Sequence, residues 1–396
     1  MTILLQNAMF VAGIGSLIQL YSIGGIIGAR LPIIMGVSFT FVSVLSFVGS
    51  SYGYSAIVGC VIAGGIFEGT LGLTARYWRK LISPIVSATV VTAIGYSLLS
   101  VGTRSLGGGY NENFGSAQNV FLGLLTLISC IGFTALAKGF HKQLSILFGL
   151  VVGYIAAIAM GVVNLNHIFD SGLFSLPHFM PFTPEFHAGA IISTCIIYLV
   201  SAAETIGDTS AMTAMGLGRE PTEKEISGSL GCDGYGSAIS GLFGCTPITS
   251  FSQNVGLIAM TGVVNRFTIA TGACCMILGG LIPPIGALFS SLPEAVLGGC
   301  TIMLFGSIMV SGIRMLAACG FSQRNVIIAS LSLSIGLGFT YSSELGIWKL
   351  APQVIKDVFA ANCVALVFVI SLALNLLLPQ NMEIEAKGLT RNKPTM

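Results

Sequence analysis

Charge is scarce in this sequence. Asp, Glu, Lys and Arg together make up only 8% of the 396 residues, whereas a soluble domain typically carries about 25% charged residues. Hydrophobic residues account for 54% of the chain, so too few charges remain to solvate a globule of this length. The composition excludes a soluble protein and predicts an all-α, polytopic membrane protein in the lipid bilayer.

Motifs for catalysis, metal binding and nucleic-acid binding are also missing. The ten cysteines form no Cys-x-x-Cys pair, so zinc and redox motifs have no support. His167, His178 and His187 match no standard ligand spacing, and we expect no metal site. The net charge is +2, without a basic cluster, which argues against a nucleic-acid partner. No nucleophile–base pair stands out, so an enzyme is not expected.

Long apolar runs organise the chain instead. A helix needs about 20 apolar residues to cross a bilayer, and thirteen runs approach that length. They lie at 3–21, 31–49, 53–74, 82–101, 117–137, 144–163, 188–216, 227–244, 246–262, 267–288, 293–312, 324–341 and 361–378.

Two of these runs are interrupted. The run at 31–49 contains Pro32 and Gly36, and the run at 246–262 contains Pro247. We expect each to begin as a short strand and to continue as a helix. Such backbone is tolerated at membrane depth only where protein or a water-filled cavity satisfies it. A matched pair indicates a transport site between inverted repeats, and two proline-kinked helices are the alternative.

The loop charges predict an orientation. If the runs alternate across the bilayer, fourteen of the seventeen Lys and Arg residues fall on one side, which is predicted to be cytoplasmic. The C-terminal tail, 379–396, then lies in the cytoplasm, and Met1 lies outside without a basic residue near it. One more helix upstream would complete two halves of seven, so we expect a first helix to be missing from this chain.

Four acidic residues lie well inside apolar runs, where they are costly and usually functional: Glu68, Glu204, Asp208 and Asp233. Glu204 and Asp208 are four residues apart and share a helix face. Mutual repulsion in a poorly hydrated cavity favours a proton on one of them, as a proton-coupled carrier requires. Alternatively, Asp208 only bonds a neighbouring helix. Asp233 is an opposing proton site or a helix-tethering acceptor, and Glu68 is expected to be a packing or loop-facing acid near a cytoplasmic end.

Polar and aromatic residues mark both interrupted runs. Gln253 and Asn254 follow the second strand-like stretch and open a short helix. A side-chain amide both donates and accepts hydrogen bonds, which suits the edge of a purine or pyrimidine. Phe39, on the other interrupted run, is placed to stack on a flat ring, or else is a lipid-facing or core aromatic.

Residues 253–262 read QNVGLIAMTG. This stretch matches completely the signature of the nucleobase–ascorbate transporter family: Gln or Glu, Asn, any residue, Gly, four variable residues, Thr, and Arg, Lys or Gly. The stretches at 36–42, 201–211 and 292–314 resemble the family's third, eighth and twelfth helices. The resemblance covers nearly the whole chain, starting from the family's second helix.

The resemblance implies a uracil-permease-like fold, in which fourteen helices form two inverted seven-helix repeats with two half-strand, half-helix segments. About thirteen of the usual fourteen segments are expected in the single transporter unit 1–396. Residues 1–163 would form the first repeat without its first helix, and 188–378 would form the second. A core domain would move against a gate domain interleaved with it in sequence, and a homodimer is implied as well.

The resemblance also implies roles for three of the acids. Glu204 would bind the base and take part in proton coupling. Asp208 would support the site one helical turn away. Asp233, twenty residues before Gln253, would assist proton coupling.

Five further residues would complete the site by resemblance. Gln253 would bind the edge of the substrate, and Asn254 would shape the site around it. Phe39 would stack on the ring, and Ser252 would offer a backbone contact. Thr40 lies at a position that tunes the choice of purine in the family.

Gln rather than Glu at position 253 resembles the xanthine and uric acid branch more than the uracil carriers, since a neutral amide does not repel an acidic purine. We therefore predict proton-coupled symport of xanthine or uric acid across the cell membrane, driven by the proton gradient without a cofactor. The alternatives are a carrier of uracil or another nucleobase, a truncated family member that does not transport, and an anion carrier or channel of the same fold.

Overall fold

The computed structural model describes residues 2–163, 172–342, 345–360 and 362–379. His167 and all but the first residue of the predicted tail, 379–396, lie outside this part of the chain. The helices are α1 (Thr2–Tyr21), α2 (Val42–Tyr52), α3 (Tyr54–Leu73), α4 (Ala75–Trp78), α5 (Pro84–Leu106), α6 (Ala117–Leu136), α7 (Ser145–Ala159), α8 (Ala188–Leu217), α9 (Glu223–Leu242), α10 (Ser252–Thr261), α11 (Arg266–Leu281), α12 (Pro283–Ser290), α13 (Glu294–Ala318), α14 (Gln323–Tyr341), α15 (Gln353–Phe359) and α16 (Cys363–Leu377). The strands are β1 (Met35–Val37) and β2 (Ile248–Ser250).

The helices follow the predicted apolar runs, and the predicted fold class is confirmed. Within the described residues, α1, α3, α5, α6, α8 and α13 are each long and apolar enough to cross a bilayer. The helices α7 and α16 are shorter apolar helices, as is the stretch from Phe39 to the end of α2. The helix α9 has 20 residues but is rich in Gly and Ser. Most of its residues are buried against other helices.

One predicted run is wrong as a single helix. The run at 267–288 forms α11 and α12, which meet at an angle of 85°. Pro283 and Pro284 lie at this break, and neither has a backbone N–H with which to continue the hydrogen bonding of α11. Proline is instead favoured in the first turn of a helix, so α12 begins at Pro283.

The start of α9 also differs from the prediction. The apolar run begins at residue 227, whereas the helix begins at Glu223. Thr222 accepts a hydrogen bond from the Glu225 N–H, and the Glu225 carboxylate accepts one from the Thr222 N–H. This capping box satisfies two N–H groups that the helix would leave unpaired, and it extends the helix into polar sequence.

Helices α3 and α9 are in contact backbone to backbone. A Cβ atom built on Gly234 would lie 2.0 Å from the backbone nitrogen of Gly69, and one on Gly65 would lie 2.7 Å from the Gly234 carbonyl oxygen. Small residues at a helix interface allow this close approach, and van der Waals packing then holds the helices together in a membrane.

Helices α5 and α13 form a second pair of this kind. A Cβ atom on Gly95 would lie 2.3 Å from the Met309 nitrogen, and one on Gly312 would lie 2.4 Å from the Thr92 nitrogen. Helix α8 contacts α5 through the Ser87 hydroxyl, which donates a 2.9 Å hydrogen bond to the carbonyl oxygen of residue 203. The two strands also lie beside α8. Because α5 contacts α8 and α13 packs on α5, these two helices bound the space around the strands.

Candidate substrate-binding site

The two short strands lie side by side next to α8. They pair antiparallel, with Met35 opposite Ser250 and Val37 opposite Ile248. The β2 strand is entirely buried and β1 nearly so, and each satisfies the backbone of the other, as buried irregular backbone in a membrane requires. A helix follows each strand. Both interrupted runs are therefore confirmed as strand followed by helix, and the kinked-helix alternative is wrong.

A cavity lies where the strands pass into their helices. It encloses about 310 Å³ of space between atoms, its opening included. Its walls come from both strand–helix junctions, from α8, and from α5 and α13. The lining residues are Ser38, Phe39, Thr40, Ile94, Glu204, Thr249, Ser250, Phe251, Ser252, Gln253 and Ile308.

Glu204 is the acid that reaches this cavity. It projects from α8 and is only 8% exposed. The Thr40 hydroxyl donates a 2.7 Å hydrogen bond to its Oε2 atom. Its Oε1 atom accepts no hydrogen bond from the described residues, so this side of the carboxylate is open to a ligand in the cavity.

Asp208 lies one turn further along α8, behind the cavity wall. It is 3% exposed, and the Ser252 hydroxyl lies 2.7 Å from its Oδ1 and 2.9 Å from its Oδ2. The Ser250 hydroxyl is 3.3 Å from Oδ2. Asp208 therefore holds the junction between β2 and α10, which carries Gln253.

Asp233 joins α9 to the same junction. Its Oδ2 atom accepts hydrogen bonds from the Thr249 hydroxyl, at 2.7 Å, and from the Ser250 N–H, at 3.3 Å. The Thr205 hydroxyl of α8 donates to the same oxygen. The residue is completely buried, and its Oδ1 atom has no partner in the described part of the chain.

The two amide residues of the motif point in different directions. Gln253 is exposed and lines the cavity, and its side chain makes no hydrogen bond with the described residues. Asn254 is buried, and its Nδ2 atom donates a 3.1 Å hydrogen bond to the Pro32 carbonyl oxygen. Gln253 is thus available to a ligand, whereas Asn254 connects α10 to the segment before β1.

Phe39 lies in a single 3₁₀ turn, Phe39–Phe41, between β1 and α2. Its ring packs edge to face against Phe305 of α13, with centroids 5.3 Å apart and planes at 78°. Phe39 lines the cavity while it keeps this contact with Phe305. This contact also joins the strand–helix junction to α13.

Sequence reasoning missed six of the eleven cavity residues, of which Ser38, Thr249 and Ser250 belong to the two strand–helix segments. Phe251 lines the cavity directly before α10, and its ring covers Gly36, where a Cβ atom would lie 2.3 Å from the ring. Ile94 and Ile308 contribute the apolar wall from α5 and α13. Phe251 could have been found by its place at the end of β2, but the two isoleucines look like any others in an apolar helix.

The remaining buried acid and the histidines lie elsewhere. Glu68 is completely buried in α3, and neither carboxylate oxygen has a partner among the described residues. Asn7 binds the backbone of His178 through two hydrogen bonds, and His187 stacks on Tyr52 at 4.8 Å. In the part of the chain that the structure describes, no three His, Cys, Asp or Glu residues are grouped to hold a metal ion.

The fold and the site together define a multi-pass membrane carrier with the inverted-repeat architecture. Similar solved structures include the transmembrane domain of a cyanobacterium bicarbonate transporter, BicA, with a TM-score of 0.56 and 15% identity, covering 94% of this chain and 89% of that one. Murine Slc26a9 in the inward-facing state matches with a TM-score of 0.62 and 11% identity, covering 94% of this chain and 65% of that one. At these identities the likeness concerns the fold alone.

Sequence comparison identifies the family. The model of a family described as "Permease family" matches residues 1–345. The chain belongs to this family, the nucleobase–ascorbate transporter family that the motif at 253–262 predicts.

Relatives within the family are similar over most of the chain. Xanthine permease XanQ of Escherichia coli strain K12 is 35% identical, over 95% of this chain and 83% of its own length. Uric acid permease PucJ of Bacillus subtilis strain 168 is 34% identical, over 89% and 80%. Putative purine permease CPE0397 of Clostridium perfringens is 33% identical, over 97% and 85%.

Proposed function

We propose that this chain is a proton-coupled symporter of a purine base, xanthine or uric acid, in the cell membrane. The observation that carries the proposal is the shared cavity of Glu204, Gln253 and Phe39. The xanthine and uric acid permeases among its relatives support the same substrate class.

The three side chains offer complementary contacts to a flat heterocycle. The Gln253 amide can donate to and accept from the edge of a purine. The open oxygen of Glu204 can accept a hydrogen bond from a ring N–H. The Phe39 ring provides a surface for stacking, and its edge contact with Phe305 fixes its orientation.

Glu204 is the acid to which we assign the coupled proton. It alone among the buried acids of α8 and α9 lines the cavity, and one of its oxygens is free of protein donors. Asp208 and Asp233 receive hydrogen bonds from serine and threonine hydroxyls behind the cavity, which suits them to positioning the junction of β2 and α10. Proton uptake at Glu204 would remove its charge before the site changes its exposure.

Movement between two groups of helices would complete transport. The core domain would contain α1–α3 and α8–α12, and the gate domain α5–α7, α13, α14 and α16, within repeats at 1–163 and 188–378. The contacts of Phe39 with Phe305 and of Ser87 with α8 lie between these groups. A homodimer and a cytoplasmic C-terminal tail belong to the same proposal.

Radiolabelled xanthine uptake by cells that express this chain tests the proposal. We expect uptake to require a proton gradient and to be inhibited by unlabelled uric acid but not by uracil. Glu204→Gln and Gln253→Ala should each lower uptake by about tenfold or more, since the first removes the group that would carry the proton and the second removes the amide that would bind the purine edge. Glu220→Gln, in an exposed loop, is the matched control and should leave uptake unchanged.

The outcomes separate the alternatives. Inhibition by uracil instead of uric acid would favour a carrier of uracil or another nucleobase. Absence of uptake, despite confirmed membrane insertion and direct purine binding, would favour a family member that does not transport. The solved structures of anion transporters share only the fold, and the intact QNVGLIAMTG motif beside a buried carboxylate favours a base over a simple anion.

A further inference from the structure

A second cavity shares no lining residue with the candidate substrate site. It encloses about 1170 Å³, its opening included. Its lining comes from the loop between α1 and β1, the loop between α8 and α9, and the segment that joins α10 to α11. Four cationic side chains converge here with one carboxylate: Arg30, Arg219, Lys224, Arg266 and Glu225. We refer to it as the basic cavity.

The one carboxylate of the basic cavity is already fully engaged. Arg219 binds both oxygens of Glu225, with 2.9 Å between Nη1 and Oε2. The Thr222 N–H donates to the same carboxylate at 2.7 Å. The hydrogen bonds from Arg219, and to a lesser extent those from Thr222, lower the pKa of Glu225 from its usual 4.5 to about 2. The carboxylate therefore stays paired with Arg219 at physiological pH and does not neutralise the other cations.

The other three cations have no such partner. Among the described residues, Arg30, Lys224 and Arg266 form no ion pair. The Arg266 Nη2 atom donates a 3.1 Å hydrogen bond to the Arg30 carbonyl oxygen, which brings two of the three loops together. Like charges around one cavity repel each other, so this arrangement is stabilised when an anion binds between them.

Backbone contacts fix Arg30 at the basic cavity, and among the described residues a hydroxyl without a partner lines the same cavity. Arg30 has a φ of 59°, a left-handed conformation that is uncommon outside glycine, and its N–H is fixed by the Gln19 carbonyl oxygen at 2.9 Å. The Ser22 hydroxyl, which lines the basic cavity, is buried without a hydrogen-bond partner in the described part of the chain. A buried polar atom of this kind marks a place for a further partner.

We propose that the basic cavity binds a phosphoryl group, carried by a soluble phosphate ester or by a lipid headgroup. Guanidinium groups match the geometry of phosphate oxygens, and a lysine adds a mobile point charge. The usual excess of cytoplasmic cations does not account for the cluster, because Arg76 and Arg314 lie on the same predicted side and do not reach the cavity. The proposal does not depend on the transport activity.

Titration of the purified full-length chain with inorganic phosphate tests the site. In neutral detergent at low ionic strength, we expect saturable binding by isothermal titration calorimetry. Lys224→Gln and Arg266→Gln should each weaken it by about tenfold, the loss expected for one charge-assisted hydrogen bond. Arg266→Lys keeps the positive charge but not the planar guanidinium group, so phosphate affinity should fall less than in Arg266→Gln. Arg314→Gln removes an exposed cation outside the cavity and should change nothing.

Nanodiscs distinguish the two sources of the group. If phosphatidylglycerol weakens phosphate binding relative to phosphatidylcholine alone, and Lys224→Gln abolishes this competition, the occupant is a lipid headgroup. If phosphatidylglycerol has no effect, it is a soluble phosphate ester. Absence of saturable binding, equal binding by wild type and both cavity variants, or an equal loss in Arg314→Gln would overturn the proposal. Lys224 is exposed and makes no ion pair, so its variant remains informative if Arg266→Gln does not fold.

Discussion

The hydroxyl group of Thr40 lies 2.7 Å from the carboxylate of Glu204 and donates a hydrogen bond to it. The two residues are 164 positions apart in sequence, and both are buried. The bond joins the turn after β1 to α8 at the wall of the candidate substrate cavity. The orientation of the acid therefore depends on the position of the half-strand segment.

This relationship predicts a specific effect of Thr40. Thr40→Val keeps the shape of the side chain but removes the donor, and we expect xanthine uptake to fall by about tenfold. Thr40→Ser keeps the hydroxyl and should retain most of the uptake. Uptake by the valine variant at the wild-type rate, with equal protein in the membrane, would show that Glu204 needs no partner there.

Asp208 should act through the junction of β2 and α10. In Asp208→Ala the Ser252 hydroxyl loses its acceptor, so the start of α10 is less well held and purine affinity should fall. In Asp208→Asn the amide oxygen can still accept from Ser252, and the loss should be smaller. Measured dissociation constants for xanthine decide the matter, and equal constants for the two variants would contradict a positioning role.

Apolar replacement of two buried acids should affect the stability of the protein differently. Asp233 receives hydrogen bonds from Thr205, Thr249 and Ser250, so Asp233→Leu leaves these donors unpaired, each at about 1–3 kcal/mol. Glu68 has no partner for either carboxylate oxygen among the described residues, so Glu68→Met should not lower stability. Thermal unfolding of the purified variants measures both effects, and a larger loss for Glu68→Met would refute this assignment.

The contact between α3 and α9 should not tolerate a methyl group. In Gly234→Ala the added Cβ atom would lie 2.0 Å from the Gly69 nitrogen, and overpacking of this kind costs about 1–3 kcal/mol. Gly132→Ala on α6 is the control, because nothing lies within 4 Å of its added Cβ atom. We expect a lower unfolding temperature only for Gly234→Ala, and equal temperatures would argue against close backbone contact.

Much of the fold could be predicted from the sequence because lipid imposes a simple rule on helix length. Apolar runs predicted most of the helices. Pro32 and Pro247 predicted the interruptions at the strands, since proline lacks the N–H that a helix interior needs. The break at Pro283 has the same cause, but the run around it is apolar throughout and therefore resembles a single helix.

The candidate site was harder to predict in full. Glu204 and Gln253 stand out because polar groups in apolar runs are costly, and the structure places them on one cavity. Their roles in binding remain predictions. Ile94 and Ile308 carry no such signal, because only the packing of α5 and α13 around the strands turns them towards the cavity. The basic cavity likewise depends on three loops that are distant in sequence.

Direct xanthine binding to the purified full-length chain is the measurement that tests the central claim, that the cavity between the half-strand segments holds the purine. Isothermal titration calorimetry should give the same dissociation constant for wild type and Gln323→Ala, which changes an exposed glutamine at the start of α14. Gln253→Ala should raise the constant by about tenfold or more. Wild-type affinity in Gln253→Ala would contradict the account.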